Sequence, residues 1–496
     1  MMKSFAVISV WLASVLAVAA QTNAAPLALS LDDCIQQALA HNFDVQVQRY
    51  NPQIALDNLH AAYAGFDPTF SASGQHGYNV SPGGSYNQYS TNPIPARITR
   101  ADSFNSSLDG LLPSGLQYDF NGNIADTTST ANPESTSGSI GVNLTQPLLK
   151  NFWIDSTRLA ILVDKNRLKF SEQGLRLQFI TTVTAVEDAY YELIYAQQNV
   201  VVQTQALNLA QTQLDQDNQR VQIGTVAERA GTIEQDEAQV AQSRASLIGA
   251  QYTLATDQNA LKNLITDSYS TTHDTDIAPT ATLAATEQTF NLQESWRKGM
   301  TERPDLLQSR LNAEQQGIQL KFYRNQIYPE LDLTGSYGWN GASKEYSGTL
   351  GQFDEGNAPY YSYGAKLTVP LSNASARNQY KAGKAAEQQY LLQLKQLEQN
   401  VLVEIDNAVK QVQSAWQSVD ATRQARVYAE AALDAEQKKY AVGKSTTFTV
   451  LQLQNNLTAD RAQEIRALAN YDEALANLAQ QEGSTLERHK IDLKAE

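Results

Sequence analysis

Two spacings of apolar residues alternate along this chain. In PELDLTGSYGW, Leu331, Leu333, Gly335, Tyr337 and Trp339 share one face, and Glu330, Asp332, Thr334 and Ser336 share the other. YSYGAKLTVPL follows the same rule, setting Tyr361, Tyr363, Ala365, Leu367 and Val369 against Ser362, Gly364, Lys366 and Thr368. Earlier, Phe70, Ala72, Gly74 and Tyr78, then Ile140, Val142 and Leu144, alternate with polar neighbours. Successive side chains of a strand point to opposite faces, so this spacing predicts strands with one apolar and one polar face. The second spacing is 4-3-4-3, in Ile405, Val409, Val412, Trp416 and Val419 and again in Val186, Tyr190, Leu193, Gln197 and Val200. Such seams predict coiled-coil packing and not a globular core. Proline is absent from Asp155 to Val221 and from Asn373 to Val442, and at about 1.5 Å per residue each stretch would make a helix of roughly 100 Å.

The pattern occurs twice. LDDCIQQALAHNFDV and LQESWRKGMTERPDL both read as amphipathic helices, and PTFSASG and PELDLTG as strands. Leu31 and Leu292, Asp44 and Asp305, Pro68 and Pro329, and Gly74 and Gly335 all stand 261 positions apart. Further on, Pro147 and Pro370 are followed 77 and 73 positions later by Gly224 and Gly443. The chain therefore reads as two copies of one plan: helix, alternating segments, long helix, glycine pause, long helix. The copies are placed at residues 26–265, with a tip near 224, and 290–482, with a tip near 443. A Thr-, Ala- and Asp-rich linker at 266–289 joins them, and 483–496 form a tail. Pro52 is expected to kink or split the first helix. Pro147 and Pro370, lacking an N–H, are expected to end strands that pass directly into helices, with Asp155 or Ser156, and Asn373 or Ser375, as caps.

One stretch breaks the symmetry. Pro68 to Pro147 spans 79 positions, against 41 from Pro329 to Pro370. The surplus, FNSSLDGLLPSGLQYDFNGNI, holds two more alternating segments joined by Pro113–Gly115. They read as an extended hairpin, forming either an outer cap on the loops or extra strands.

The N-terminus has a basic start at Lys3, an apolar core from Phe5 to Val18 and an Ala17-Val18-Ala19 cleavage pattern. Residues 1–25 thus read as a secretory signal peptide, cut between Ala19 and Ala25. No later segment offers about 18 consecutive apolar residues. Cys34, the single cysteine, follows Leu31-Asp32-Asp33 and not the small apolar residues of a lipidation site, so it is expected to be a small buried residue. A formal charge of −15 argues against nucleic acid. In an exported protein, Tyr and Trp on the apolar strand face favour a membrane barrel over a soluble sheet. A few strands do not close a barrel, and lipid does not tolerate open edges, so several chains would share one.

This combination resembles the TolC family of outer-membrane channels. The resemblance is carried by the duplicated plan, RPDLLQSR at Arg303–Arg310, the TQPLL and TVPLS junctions, and YAVGKSTTFTVLQLQ from Tyr440. It covers nearly the whole mature chain. It implies a fold that is mainly α with membrane β: a long coiled-coil α-helical barrel plus a transmembrane β-barrel shared between three subunits, four strands from each making twelve. It further implies a homotrimer in outer membrane lipid that extends into the periplasm as the exit duct of a tripartite efflux or type I secretion system. A periplasmic adaptor (membrane fusion) protein and an inner-membrane pump of RND, ABC or MFS type would be its partners. Gly224, Thr225, Gly443 and Lys444 then mark hairpin tips that meet the adaptor, and Tyr440, Ser445, Thr449 and Gln452 the pore aperture.

The aperture departs from the family pattern. Aspartates stand six and nine residues after the second tip glycine in the best-known members, where this chain has Thr449 and Gln452. The family's arginine two residues after that glycine is Ser445 here, while its tyrosine three residues before is kept as Tyr440. In the first repeat the position six residues after Gly224 is Ala230, or Thr232 with a two-residue shift. A neutral opening lined by hydroxyls and amides is expected, with weak block by multivalent cations. His41, His60, His76, His273 and His489 are scattered, and no nucleophile, metal or cofactor signature accompanies them. The rival reading is a periplasmic coiled-coil adaptor or scaffold, which would be soluble where a channel needs detergent.

Overall fold

The computed structural model describes residues 26–84, 95–222 and 232–491; the segment read as a signal peptide and the tip holding Gly224, Thr225 and Ala230 lie outside the described residues. In chain order the elements are β1 (Leu27–Leu29), α1 (Leu31–His41), α2 (Phe43–Tyr63), β2 (Thr69–Ser81), β3 (Arg97–Leu111), β4 (Gln117–Ser129) and β5 (Ser135–Pro147). Next come α3 (Ser156–Gln222), α4 (Thr232–Ile265), α5 (Tyr269–Thr272), β6 (Ile277–Pro279), α6 (Leu292–Glu302) and α7 (Pro304–Asn325). The chain ends with β7 (Glu330–Ser343), α8 (Tyr346–Glu355), β8 (Pro359–Thr368), α9 (Ala374–Ala441), α10 (Thr447–Glu482) and α11 (Thr485–Arg488). Two compact units result. One is drawn from Met1–Phe43, Thr182–Gln288 and Gln411–Asn477, the other from Asp44–Thr181, Thr289–Lys410 and Leu478–Glu496.

The sequence offset reappears in the backbone. α1 and α6, α2 and α7, and β2 and β7 begin 261 residues apart. The helices of each pair part at an extended residue, Asn42 (φ −64°, ψ 127°) and Arg303 (φ −64°, ψ 121°). Pro52 does not split the first helix as expected: α2 runs through it, and the break falls at Asn42. A proline removes one N–H from the helical ladder, and the surrounding turns evidently hold.

In the first unit the coiled-coil seams are buried at most positions the spacing names, with Gln197, Val200 and Trp416 half-buried. Val186, Tyr190, Leu193, Val412 and Val419 are all closed to solvent. The segment read as a linker is partly structured, because β6 pairs in parallel with β1 and the Ala281 N–H donates to the Tyr190 hydroxyl at 3.3 Å.

The second unit holds a six-stranded antiparallel sheet in the order β2-β3-β4-β5-β7-β8. The surplus segment is therefore two full strands, β3 and β4, inserted between β2 and β5. The family resemblance implies four strands per chain; the sheet has six. Directly paired residues share a face, and the faces are sharply distinct. Phe70, Leu108, Phe120, Val142, Tyr337 and Tyr361 form one continuous cross-strand row. One step along, the opposite face presents Thr69, Asp109, Asp119, Asn143, Ser336 and Ser362 in the same way.

At one end the apolar face turns polar, and there α8 lies over it. His76 meets Asp102 at 2.6 Å, and Thr136 donates to Asp126 at 2.9 Å. The Thr349 hydroxyl donates to the Thr136 carbonyl at 3.2 Å, and Gln352 exchanges two hydrogen bonds with the Ala342 backbone. Tyr346 packs edge-on against Phe104. Gly341 lets the helix approach, since a Cβ there would lie 2.8 Å from the Thr349 carbonyl oxygen.

The strands do not pass directly into the helices. Residues 148–155 separate β5 from α3, and 369–373 separate β8 from α9. Pro147 closes β5 and is buried, whereas Pro370 lies beyond β8. Each connection turns on an asparagine in the left-handed region, Asn151 (φ 65°) and Asn373 (φ 41°), a conformation asparagine tolerates better than most residues. Asn151 donates its N–H to the Asn325 side chain at 2.7 Å, and Asn373 donates from its side chain to the Ile327 carbonyl at 2.8 Å. Asp155 caps α3 as expected, accepting from the Arg158 N–H at 2.8 Å. Asn373, by contrast, uses its side chain to hold the turn.

Arg303 ties the second helix break into its unit. Its guanidinium donates to Asp305 at 2.7 Å and 3.0 Å, to Glu404 at 2.6 Å and to Gln481 at 3.0 Å. Arg303→Ala takes the guanidinium donors away from these acceptors, and with Glu404 half-exposed the expected cost is about 1–3 kcal/mol. Thermal unfolding in detergent should show a lower midpoint, with only partial recovery in Arg303→Lys, which lacks the fork. An unchanged midpoint would show that the network is incidental.

Candidate functional site at the Gly443 turn

α9 and α10 are joined by a tight turn whose geometry follows from its residues. Gly443 takes φ 74°, its N–H donates to the Tyr440 carbonyl at 3.0 Å, and Lys444 reaches back to the Lys439 carbonyl at 2.9 Å. This is a glycine-terminated helix end in which the left-handed residue closes the last carbonyls. Nothing lies within 4 Å of a Cβ built at Gly443, so the requirement is conformational and not one of space. Thr446 caps α10, its hydroxyl accepting from the Thr449 N–H at 3.3 Å. Below the turn, Leu433, Val450 and Leu457 form a small buried core with Tyr440 and Leu453 against it.

The expected aperture residues separate into two groups. Tyr440 and Ser445 are engaged with other side chains. The Tyr440 hydroxyl donates to Asp217 of α3 at 2.6 Å and lies 2.8 Å from the Thr447 hydroxyl, which itself donates to Asp217 at 3.1 Å. Gln213 also donates to Asp217 at 2.9 Å, and the Arg220 guanidinium sits 4.4 Å from the centre of the Tyr440 ring. Burial, then the bond to Asp217, raises the Tyr440 phenol above its usual range. Ser445 donates to Glu436 at 2.5 Å and Lys439 to the same carboxylate at 2.9 Å; the two bonds hold that carboxyl below its ordinary value. Thr449 and Gln452 form the second group, one helical turn apart on α10. Thr449 is half-buried beside Thr446, Gln452 is exposed, and exposed Lys444 and Phe448 share the turn region.

Asp217 and Asp236 were not singled out from the sequence. A signal existed in the repeat: Asp217 and Glu436 each stand seven positions before a tip glycine. Asp217 is 3% exposed, and it accepts from both helices that flank the Gly443 turn. Asp236 of α4 is fully buried, and neither of its oxygens meets a donor among the described residues. Its carboxyl is pushed up to about 7, first by burial and then by the neighbouring Asp217 carboxylate. A hydrogen bond between the two acids exists only while one holds a proton.

Among the described residues no His, Cys, Asp or Glu cluster is arranged to hold a metal, and no helix is long and apolar enough to cross a membrane. What stands out is a sheet with one apolar and one polar face and two unpaired edges, plus helices joined by a glycine turn. These are the parts of a membrane channel. The profile of the outer membrane efflux protein family matches residues 34–266 and 299–484, and the chain belongs to that family. Outer membrane protein TolC of Escherichia coli (strain K12) is 24% identical over 384 residues, covering 75% of this chain and 74% of that protein. Outer membrane efflux protein BepC of Brucella suis is 23% identical over 358 residues, covering 72% and 74%. The crystal structure of VceC from Vibrio cholerae shares the fold at a TM-score of 0.66 and 18% identity, over 91% of this chain and 96% of that one. The protein is thus an efflux channel of the outer membrane that extends into the periplasm, in a family of channels and not of enzymes.

The Asp236 carboxyl generates a pH dependence. Its folded value of about 7 lies above the ordinary 3.8, so its contribution to stability is complete below pH 3.8 and is lost as pH rises through about 7. Amide hydrogen exchange around Gly443, corrected for intrinsic rates, should show weaker protection at about pH 8 than at about pH 5. In Asp236→Asn that difference should collapse. An unchanged pH response in the variant would remove Asp236 as its cause.

Proposed function

We infer that three copies of this chain form the exit duct of a tripartite efflux or type I secretion system. Channels of this family are trimeric and work with periplasmic adaptors and inner-membrane pumps; here the pump would be of RND, ABC or MFS type. The observation that carries the reading is the sheet, whose Ser-, Thr- and Asn-rich face suits water while its Phe- and Tyr-bearing face suits lipid. The tips at Gly224 and Thr225 and at Gly443 and Lys444 would meet the adaptor. Thr449 and Gln452 would line the aperture, while Tyr440 and Ser445, bound to Asp217 and Glu436, would latch the turn in its closed position. For the two repeats, the linker and the tail we propose the boundaries read from the sequence.

A neutral aperture leaves divalent cations little to bind. In planar bilayers the detergent-purified protein should give small, stable, cation-biased steps with weak divalent block. Thr449→Asp combined with Gln452→Asp should lower the blocking concentration by roughly tenfold or more, because a ring of carboxylates concentrates cations. Block that is already tight in the unchanged protein and is lost in Thr449→Ala would overturn the neutral aperture. No conductance from a protein that leaves the membrane without detergent would return the scaffold reading.

A further inference from the structure

We propose that the membrane barrel of this channel has eighteen strands, six from each of three copies, with β8 of one copy paired antiparallel to β2 of the next. The proposal rests on the trimeric reading above and differs from the twelve strands that the family resemblance implies.

β3 and β4 are part of the wall and not an appendage to it. β2 pairs with β3 along its whole length, from Thr69 opposite Asp109 to Ser81 opposite Arg97. β4 pairs with β5 from Gln117 opposite Thr145 to Thr127 opposite Ser135. β2 and β5 do not touch as neighbours, so taking the hairpin out of the wall would break both ladders. The hairpin also carries the same chemistry as the other strands. Phe104 and Phe120, 55% and 51% exposed, lie on the face that bears Phe70, Ile140 and Tyr363. Asn105, Ser107, Asn121 and Asn123 lie on the opposite face with Ser71, Ser139 and Ser362. A soluble cap has no reason to expose aromatic residues in register with a lipid-facing band; a membrane strand requires it.

The edges supply the partner. Among the described residues β2 and β8 each have one neighbour, leaving a row of unpaired backbone groups on the other side, and hydrocarbon does not tolerate such a row. Six is an even number, so β2 and β8 run in opposite directions and identical copies join without a parallel pair. An inserted hairpin preserves this alternation. A single inserted strand would not, and this explains why the surplus is two strands.

The extra strands change the pore. With strands about 4.8 Å apart and tilted about 40°, a wall of twelve has a backbone diameter of about 24 Å and a wall of eighteen about 36 Å. The polar inner face would then enclose an open aqueous lumen, as in porins of similar strand number. The outer-membrane end would be wide enough for bulkier cargo, and narrowing would be left to the helical tips.

Electron cryo-microscopy of the detergent-extracted full chain counts the strands directly. The expected image is a trimer with eighteen strands and a wall about one and a half times as wide as a twelve-stranded one. A variant lacking residues 97–129, which joins β2 to β5 with alternation intact, should give the narrower wall. A trimer of the unaltered protein with twelve strands and the hairpin outside the wall overturns this proposal and leaves the channel reading standing. A number of copies other than three, or no closed wall, overturns the three-copy reading on which the proposal rests. If the deletion variant does not fold, the count in the unaltered protein still decides.

Discussion

In hydrocarbon, a backbone N–H or carbonyl without a partner costs several kcal/mol, and a strand has nowhere to hide its edge. That constraint organises the second unit. It explains why strands are present in even number and in unbroken antiparallel order. It also explains why their faces differ in composition so completely, since each strand must satisfy lipid and water at once. α8 belongs to the same logic. Where the apolar face gives way to His76, Asp102, Asp126 and Thr136, a short helix covers the change with its own hydrogen bonds.

The first unit meets the opposite solvent problem. Its helices are wet, so their stability rests on narrow seams and on charged pairs between neighbours. Arg426 and Arg461 bind Glu464 and Glu430 across α9 and α10, and Arg466 grips Glu192 of α3 with two bonds of 2.6 Å. At the Gly443 turn this economy of contact goes further. One buried carboxylate, Asp217, collects hydroxyls from Tyr440 and Thr447, so a few hydrogen bonds hold three helices together. Such a junction separates more readily than an apolar core, because water replaces its partners once it opens.

Much of this was legible beforehand, and the pattern of success has physical reasons. The 261-residue offset marks the starts of α1 and α6, α2 and α7, and β2 and β7, because periodicity and register are properties of the sequence itself. Gly443 was legible because few residues other than glycine close a helix in that conformation. The break at Asn42 was not, since proline was the louder signal and asparagine the one that turned the chain. Nor was α8, whose Gly348 and Gly351 disfavour a helix and whose stability comes from packing on β7 and Thr136. Asp217 and Asp236 look in sequence like any solvated acid on a helix. Only the folded structure shows them facing each other away from water.

Cys34 is wholly buried in α1, and burial pushes its thiol up to about 12. At physiological pH it is protonated and out of reach of oxidants and maleimides alike. The natural chain therefore presents no reactive sulfur in an oxidising compartment, where a stray thiol would couple neighbouring copies at random. The same property makes it a silent background for labelling: a cysteine introduced anywhere on its surface would be the one site that a fluorophore or spin probe finds.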